Sequence, residues 1–145
     1  MKTNPNQGQA LFQTLLDAFN QDWQTVIDLF TDDAFIEYPY AHTIGVPARL
    51  NKDNYRAHLQ NILPQMPGIA FSNVRVYPLQ QPYTYWAEVH GETTMPATGN
   101  LYRQDYVMFF TIAGNQFSRY REYWNPVAFL QASGQDTLTT PLLKS

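Results

Sequence analysis

One carboxylate lies among aromatic side chains near the end of the chain, in the segment RYREYWNP that runs from Arg119 to Pro126. Alternate residues of a strand point to the same face, so Glu122 shares a face with Tyr120 and Trp124. Burial of a carboxyl group among such side chains raises its pKa, by up to about 3–5 units when the burial is complete. Such a group can take and return a proton near neutral pH, which is general acid–base chemistry. The alternative is an exposed strand that carries Glu122 for solubility.

A histidine on a predicted helix is the second candidate for proton transfer. His58 lies in the run YRAHLQNIL, and helical spacing groups it with Tyr55 and Ile62. If His58 faces Glu122, the two groups form a proton donor and acceptor whose roles are set by their surroundings. The alternative is a surface histidine, or one that is satisfied inside the core.

A third set of candidates alternates along the run YWAEVHG, where Trp86, Glu88 and His90 share one strand face. That face either lines a ligand cavity, in which case these residues contact the ligand, or forms a solvated edge. The histidines lack the spacing of a metal site, the carboxylates form no calcium loop and the chain has no Cys, so we expect no metal. There is no Gly-rich phosphate loop, no nucleophile elbow and no Walker motif, so we expect no nucleotide chemistry.

The composition favours a protein with a large apolar interior and few charges. Of 145 residues, 44% are hydrophobic, 15% aromatic and only 14% charged, which indicates a large core, a lined cavity or a buried interface. The net charge is −3 and no basic run occurs, so we expect no nucleic-acid partner. No apolar run approaches the roughly 20 residues that span a membrane, and the N-terminus is too polar for a signal peptide. We therefore expect no membrane contact and a cytoplasmic location.

The elements that must position these residues are predicted to be helices first and strands afterwards. Helical spacing predicts three helices, at 4–21, 22–30 and 51–66. A short strand at 34–40 is predicted between the second and the third helix. Four strand-like runs follow, at 71–79, 83–94, 101–112 and 116–124, and a short final helix is predicted at 126–133. This order indicates an α+β domain in which helices pack into the concave side of a curved antiparallel sheet. We expect a single domain over residues 1–133 and a loosely ordered tail over residues 134–145.

The hairpin loop AGN decides which residues of the last two long strands face each other. A three-residue loop with a bulge places Glu122 opposite Tyr106, whereas a two-residue turn shifts the pairing by one and exchanges the faces. We expect the first register because it groups the long aromatic side chains on the face of Glu122, namely Tyr102, Gln104, Tyr106, Tyr120 and Trp124. This stripe is either ordinary core or a ligand-binding face whose tyrosine hydroxyls orient a polar group of the ligand.

The opposite face of the same strands is expected to point away from the site. It carries Arg119 and Arg121, which are expected to pair with Asp105 or to lie in a dimer interface. Val107 and Phe109 on this face are apolar and favour the dimer interface.

Five stretches, in this order and spacing, resemble the nuclear-transport-factor-2-like superfamily in its SnoaL-like branch, and within it the phenazine-biosynthesis PhzA/PhzB proteins. They are KDNYRAH in the third helix, NVRVY and YWAEVHG in the sheet, and LYRQDYVMFF with REYWNP at the end. The resemblance covers most of residues 15–130. It implies a cone-shaped barrel with a deep cavity between helices and sheet, and a homodimer through the outer sheet face. It also implies that Glu122 is the acid/base carboxylate, that His58 is a cavity histidine and that Tyr102 is a cavity tyrosine.

The chain departs from that family at two positions. Ile62 stands where the PhzA/PhzB proteins carry a serine, and the second helix has no counterpart of their cavity arginine. The resemblance and Glu122 together imply an enzyme without a cofactor, an isomerase, cyclase or imine-condensing enzyme, that acts on a hydrophobic or cyclic carbonyl metabolite. Two alternatives stay open: a carrier that binds such a ligand without changing it, and a protein-interaction scaffold with a filled core.

Overall fold

The computed structural model describes residues 5–135 as helices packed against one face of a six-stranded sheet. The helices are α1 to α4, in chain order Pro5–Phe19, Trp23–Ile27, Lys52–Ile62 and Pro126–Ala132. The strands are β1 to β6, in chain order Phe30–Glu37, Arg49–Asn51, Ala70–Pro78, Thr84–Thr94, Leu101–Ala113 and Gln116–Tyr123. The predicted loose tail lies outside the described residues, apart from Gly134 and Gln135.

Side-chain caps explain where three of the helices begin. Asp22 accepts a hydrogen bond from the backbone N–H of Thr25 at 2.7 Å and starts α2, and Asn51 accepts one from the N–H of Asn54 at 2.8 Å and starts α3. Asn125 caps α4 in the same way, and the proline after it suits the first turn because it has no N–H to satisfy. The predicted helix starts at Asp22 and Asn51 therefore rest on local hydrogen bonds.

The sheet has the strand order β2-β1-β6-β5-β4-β3 and is mixed, since β1 and β6 are parallel while the other neighbours are antiparallel. It is not closed and not strongly curled, so the predicted cone-shaped barrel and purely antiparallel sheet were wrong. One edge is β2, which has only three residues, and it does not pair with β3 at the other edge. The predicted α+β class is nevertheless present. Because α2 spans only five residues, the longer helices over the sheet are α1, α3 and α4.

The register between β5 and β6 differs from the prediction by two residues and yet keeps the predicted faces. Gly114 and Asn115 form a two-residue turn, and Ser118 is an extra residue in β6 at a bulge. Turn and bulge each shift the pairing by one, so the two shifts cancel in the alternation of faces. Glu122 consequently pairs with Met108 and not with Tyr106.

The inner face of the sheet, which carries Tyr102, Gln104, Tyr106, Met108 and Tyr120, is buried under the helices. Aromatic rings hold the two layers together. The ring of Phe30 lies 5.2 Å from those of Tyr55 and Phe117 and 5.8 Å from that of Tyr120. These edge-on and tilted contacts join β1, α3 and β6, and so position the strand that bears Glu122. No helix within residues 5–135 is long and apolar enough to cross a membrane.

Candidate active site

A cavity of about 90 Å³ lies between the inner face of the sheet and the helices. By the same measure a buried water needs about 10–15 Å³, so the cavity has roughly the room of six waters or of one small ring. The lining is mostly aromatic and aliphatic: Phe19, Tyr38, Tyr55, His58, Leu59, Ile62, Leu63, Met66, Ile69, Phe71, Tyr102, Tyr106, Met108, Glu122, Trp124 and Phe129. Within this described lining, Glu122 is the single carboxylate, and there is no Lys or Arg.

Glu122 has the properties of a group that exchanges protons near neutral pH. Burial raises the pKa of its carboxyl group from the ordinary 4.5 to about 7, although a hydrogen bond from Tyr120 acts in the opposite direction. The Tyr120 hydroxyl donates to Glu122 Oε2 at 3.0 Å, and its ring is fully buried. Tyr120 therefore stands behind the carboxylate and orients it, and is not itself part of the cavity lining.

Four tyrosines line the cavity around Glu122. Tyr102 and Tyr106 share a hydroxyl–hydroxyl hydrogen bond of 2.9 Å, and the side chains of Tyr38 and Tyr55 are hydrogen-bonded to each other. Burial, and to a smaller extent the nearby charge of Glu122, raises the pKa of all four phenols, and that of Tyr102 reaches about 12. At neutral pH the hydroxyls thus stay protonated and can donate hydrogen bonds into the cavity.

The sequence prediction did not include Tyr38 or Tyr55 among the site residues. Tyr55 lies on the helical face of His58, which was a usable signal for it. Tyr38 follows β1, and it reaches the cavity because β1 runs parallel to β6 with Ile36 beside Tyr120. That pairing joins segments more than 80 residues apart, and no local pattern in the sequence announces it.

His58 lines the same cavity from α3, so the structure brings together the two residues predicted to move protons. Its ring lies 5.5 Å from that of Tyr38 and is stacked on that of Tyr55 at 6.5 Å. Burial lowers the pKa of the imidazole, so His58 is neutral at neutral pH. A neutral imidazole can both donate and accept a hydrogen bond.

Of the other predicted contact residues on this side of the sheet, Trp124 and Ile62 line the cavity and Gln104 lies behind it. The side-chain amide of Gln104 donates to the Tyr102 hydroxyl at 3.1 Å and to the Asn125 carbonyl at 3.0 Å. Its oxygen accepts from the Asn125 N–H at 2.9 Å. Gln104 is therefore a residue that orients Tyr102 and ties the end of β6 to β5.

Three residues predicted as possible ligand contacts lie on the other side of the sheet. Along β4 the buried inward positions are Tyr85, Ala87 and Val89, so Trp86, Glu88 and His90 alternate outward. Their role at the cavity is ruled out by this alternation, and they contact polar neighbours on the outer face. Trp86 Nε1 donates to Glu88 at 3.2 Å, Glu88 pairs with Arg75 at 3.0 Å, and His90 contacts Asp105 and Glu92 at 2.7 Å each.

The arginines of β6 were correctly expected to point away from the site, but their expected partner was wrong. Arg119 and Arg121 pair with Glu37 of β1 at 3.1 and 3.3 Å, while Asp105 pairs with His90. The parallel pairing of β1 with β6 places Glu37 directly beside Arg121. Within residues 5–135, no three His, Asp or Glu side chains are grouped to hold a metal ion.

Replacing Gln104 with methionine is expected to lower the free energy of unfolding by about 2 kcal/mol. The change keeps the side-chain length but removes the hydrogen bonds that Gln104 makes to the N–H and the carbonyl of Asn125 and to the hydroxyl of Tyr102, which keeps its bond to Tyr106. A hydrogen bond of this kind contributes about 0.5–1.5 kcal/mol, so the loss of the three accounts for about 2 kcal/mol. Urea unfolding followed by fluorescence measures the difference. Gln9→Met, at an exposed position of α1, is the matched control and is expected to change the stability by less than about 0.5 kcal/mol. Equal effects of the two substitutions contradict the orienting role of Gln104.

Comparison with known proteins places the chain among several with similar sequence or structure. A sequence model of the SnoaL-like domain matches residues 12–120. An uncharacterized PhzA/B-like protein of Pseudomonas aeruginosa is 27% identical over 129 residues, which are 89% of this chain and 91% of that protein. The crystal structure of a candidate isomerase from Bacillus subtilis superposes with a TM-score of 0.82 and 25% identity, over 92% of this chain and 97% of that one. For a phenazine biosynthesis-related protein of P. aeruginosa the TM-score is 0.74 and the identity 20%, over 98% and 91% of the two chains.

Proposed function

Because this chain belongs to the SnoaL-like domain family, with the nuclear-transport-factor-2-like fold and PhzA/B-like relatives, we propose that it is a ligand-binding enzyme whose acid/base group is Glu122. The observation that carries the proposal is that the carboxyl group of Glu122 lies in an aromatic cavity and has a pKa of about 7, near neutral pH. A general acid or base is most effective when its pKa lies near the working pH. The reaction is a proton transfer without a cofactor, of the isomerase, cyclase or imine-condensation type.

The lining of the cavity favours a neutral, hydrophobic or cyclic carbonyl compound as the substrate. In the described lining there is no Lys or Arg to pair with an anion, and ionised Glu122 repels one. Ile62 adds an apolar surface where related proteins have a serine. The polar groups that remain are tyrosine hydroxyls and the His58 imidazole, which suit the oxygen of a ketone or aldehyde.

The chemical steps follow from these groups. Ionised Glu122 removes a hydrogen, as a proton, from the carbon next to the carbonyl, and the C–H electron pair moves into an enolate. The enolate oxygen is stabilised by a hydrogen bond from one hydroxyl of the Tyr102–Tyr106 pair, whose other hydrogen lies in their mutual bond, or from His58. In an unsaturated ketone the enolate is conjugated with the C=C bond, so protonated Glu122 returns the proton at the far carbon of that system and the double bond shifts, which completes an isomerisation. Alternatively the enolate carbon attacks a second carbonyl, whose oxygen takes up the C=O electron pair and then the proton from Glu122, which completes a cyclisation.

Hydrogen exchange in a simple ketone tests this proposal without knowledge of the natural substrate. Cyclohexanone in D₂O loses its α-hydrogens when a base forms the enolate, and proton NMR follows the loss. We expect the wild-type protein to accelerate the exchange above the buffer rate, and the acceleration to saturate with cyclohexanone concentration. Saturable binding without any acceleration overturns the catalytic proposal and favours the carrier. If cyclohexanone neither binds nor exchanges faster than in buffer, the proposed ligand class is wrong as well. The scaffold alternative assumes a filled core, and the cavity argues against it.

We also propose that the chain forms a homodimer through the outer face of the sheet, which carries Trp86, Val107, Phe109, Arg119 and Tyr123. Aromatic and Arg side chains of this kind are enriched in protein–protein interfaces. The guanidinium groups of Arg119 and Arg121 lie 5.2 and 5.1 Å from the ring of Phe109, so these three side chains pack against one another on this face. Light scattering is expected to give twice the chain mass of 16.8 kDa, and a single-chain mass at about 50 µM contradicts the dimer.

A further inference from the structure

A second, wider space opens beside the cavity on the helix side of the molecule. It has a volume of about 370 Å³ and lies between the end of α1, the start of α2, the end of α3 and the segment Leu63–Gly68. We call it the outer cleft. It is about four times the size of the cavity that holds Glu122, and it is open to solvent.

The cavity and the outer cleft are separated by side chains alone. Phe19, Leu59, Leu63 and Met66 line both spaces, so they form the wall between them. Phe19, Leu63 and Met66 are only half-buried, which fits side chains with one surface toward an opening. Methionine is unbranched and flexible, so Met66 can move aside at little cost.

The backbone around this wall is held in place. The Asn20 side chain donates to the carbonyl of Ile69 at 2.8 Å, and the hydroxyl of Thr93 donates to the carbonyl of Pro67 at 2.6 Å. Pro64 and Pro67 restrict the backbone further because their rings lock φ. With the backbone held at these points, the side chains of Leu63 and Met66 are the groups whose rotation opens a passage between the two spaces.

The outer cleft offers hydrogen bonds but no positive charge. Gln21 and Gln60 are exposed in its lining, and their side-chain amides make no hydrogen bond within residues 5–135. Trp23 adds a half-buried aromatic surface. Asp22 is the single charged residue in the described lining, and it uses Oδ1 to cap α2. A neutral group that both donates and accepts hydrogen bonds suits this surface, whereas an anion does not.

We infer that the ligand has two parts, a ring ketone of about one ring in the cavity and a neutral hydrogen-bonding tail that passes Leu63 and Met66 into the outer cleft. The inference rests on the proposed function, since it assumes that a carbonyl ring occupies the cavity. Three features carry it: the shared wall, the small size of the cavity and the free amides of Gln21 and Gln60. An enzyme whose entire substrate fitted the cavity has no need of a polar space behind a wall of movable side chains.

Matched probes test the inference directly. Cyclohexanone is the ring alone, and the ω-(2-oxocyclohexyl)alkanamides with three to six chain carbons add a neutral tail to the same ring. We expect the best amide to bind at least about tenfold more tightly than cyclohexanone, because two added hydrogen bonds are together worth about that factor. The corresponding carboxylates are expected to bind more weakly than the amides, since they place an anion near Asp22 and Glu122.

A double variant locates the tail. The measured quantity is the ratio of the cyclohexanone Kd to the amide Kd. In Gln21→Ala/Gln60→Ala this ratio is expected to fall about tenfold. The control Gln9→Ala/Gln13→Ala changes two exposed glutamines of α1 and is expected to keep the wild-type ratio. In ¹⁵N-labelled wild type, the side-chain NH₂ signals of Gln21 and Gln60 are expected to shift with the amide and not with cyclohexanone.

The outcomes separate this inference from the proposed function. If cyclohexanone binds and no amide binds more tightly, the two-part ligand is wrong and the proposed function stands. If an amide binds more tightly but the ratio survives in the double variant and the glutamine signals do not move, the tail lies elsewhere and the inference is overturned. If no ring compound binds, the proposed function falls and this inference falls with it.

Discussion

Glu122→Gln is expected to lower the protein-catalysed exchange of cyclohexanone α-hydrogens by roughly 10²–10⁴-fold, the range that a positioned general base contributes. The substitution keeps the shape of the side chain and an oxygen that accepts from Tyr120, but it removes the group that takes the proton. The binding of cyclohexanone is expected to change far less than the rate, because the apolar lining is untouched. The measurement is the exchange rate at saturating ketone, followed by NMR in D₂O.

The pH dependence of the same reaction gives an independent check on Glu122. Only the ionised carboxyl group can remove a proton, and its pKa is about 7, so the rate is expected to rise from pH 5.5 to about pH 8 and then to level off. Burial lowers the pKa of the His58 imidazole below its ordinary 6.5, so His58 is neutral in the upper part of this range.

A carboxylate on the outer face supplies the matched control for this prediction. Glu88→Gln makes the same chemical change on β4, where the side chain pairs with Arg75 and lies away from the cavity. It is expected to leave the exchange rate and the pH profile as in the wild type. A Glu122→Gln protein that keeps more than about a tenth of the activity, or a wild-type profile that is flat with pH, contradicts the role of Glu122 as the base.

The same substitution is expected to stabilise the protein at alkaline pH. The pKa of Glu122 is about 7 in the folded protein and near 4.5 when unfolded, so the folded state binds the proton more tightly. Stability from this group is complete below about pH 4.5, declines as the pH rises between the two values, and is lost above about pH 7. The difference corresponds to at most about 3 kcal/mol, since one unit is worth about 1.4 kcal/mol and water in the cavity reduces the effect.

Glutamine carries no charge at any pH, so Glu122→Gln removes this loss. Its free energy of unfolding is expected to equal that of the wild type near pH 4 and to exceed it by up to about 3 kcal/mol at pH 8. Urea unfolding at pH 4, 6 and 8 gives the comparison. Glu88→Gln, which breaks an exposed ion pair, is expected to differ from the wild type by no more than about 1 kcal/mol at every pH. A Glu122→Gln protein that is less stable than the wild type at pH 8 shows that the carboxylate is not held in an unfavourable environment.

The two predictions together describe a balance between activity and stability at one residue. Burial raises the pKa of Glu122 and thereby makes it useful near neutral pH, and the same burial costs stability whenever the group is ionised. Tyr120 offsets part of this cost through its hydrogen bond to the carboxylate. A variant that loses activity and gains stability at pH 8 is the combined signature of this arrangement.

Features that depend on neighbours along the chain were predictable from the sequence alone. Helical spacing located α1 and α3. The caps predicted for α2 and α3 were Asp22 and either Asn51 or Asp53, and the structure has Asp22 and Asn51, since capping is a hydrogen bond to a residue three positions later. Strand alternation assigned Tyr106 and Glu122 to one face, and this survived an error of two residues in the register, because an even shift preserves the alternation. The order and spacing of the stretches also led to the family.

The packing of the folded chain determines which face of each strand meets the helices and which distant segments become neighbours. Alternation placed Trp86, Glu88 and His90 together but could not say that they point outward, since both faces of β4 have the same period. The parallel pairing of β1 with β6 brought Tyr38 to the cavity and Glu37 to Arg121, and it also gave a mixed and open sheet. Such pairings depend on the packing of the whole chain, and the raised pKa of Glu122 exists only because that packing closes around it.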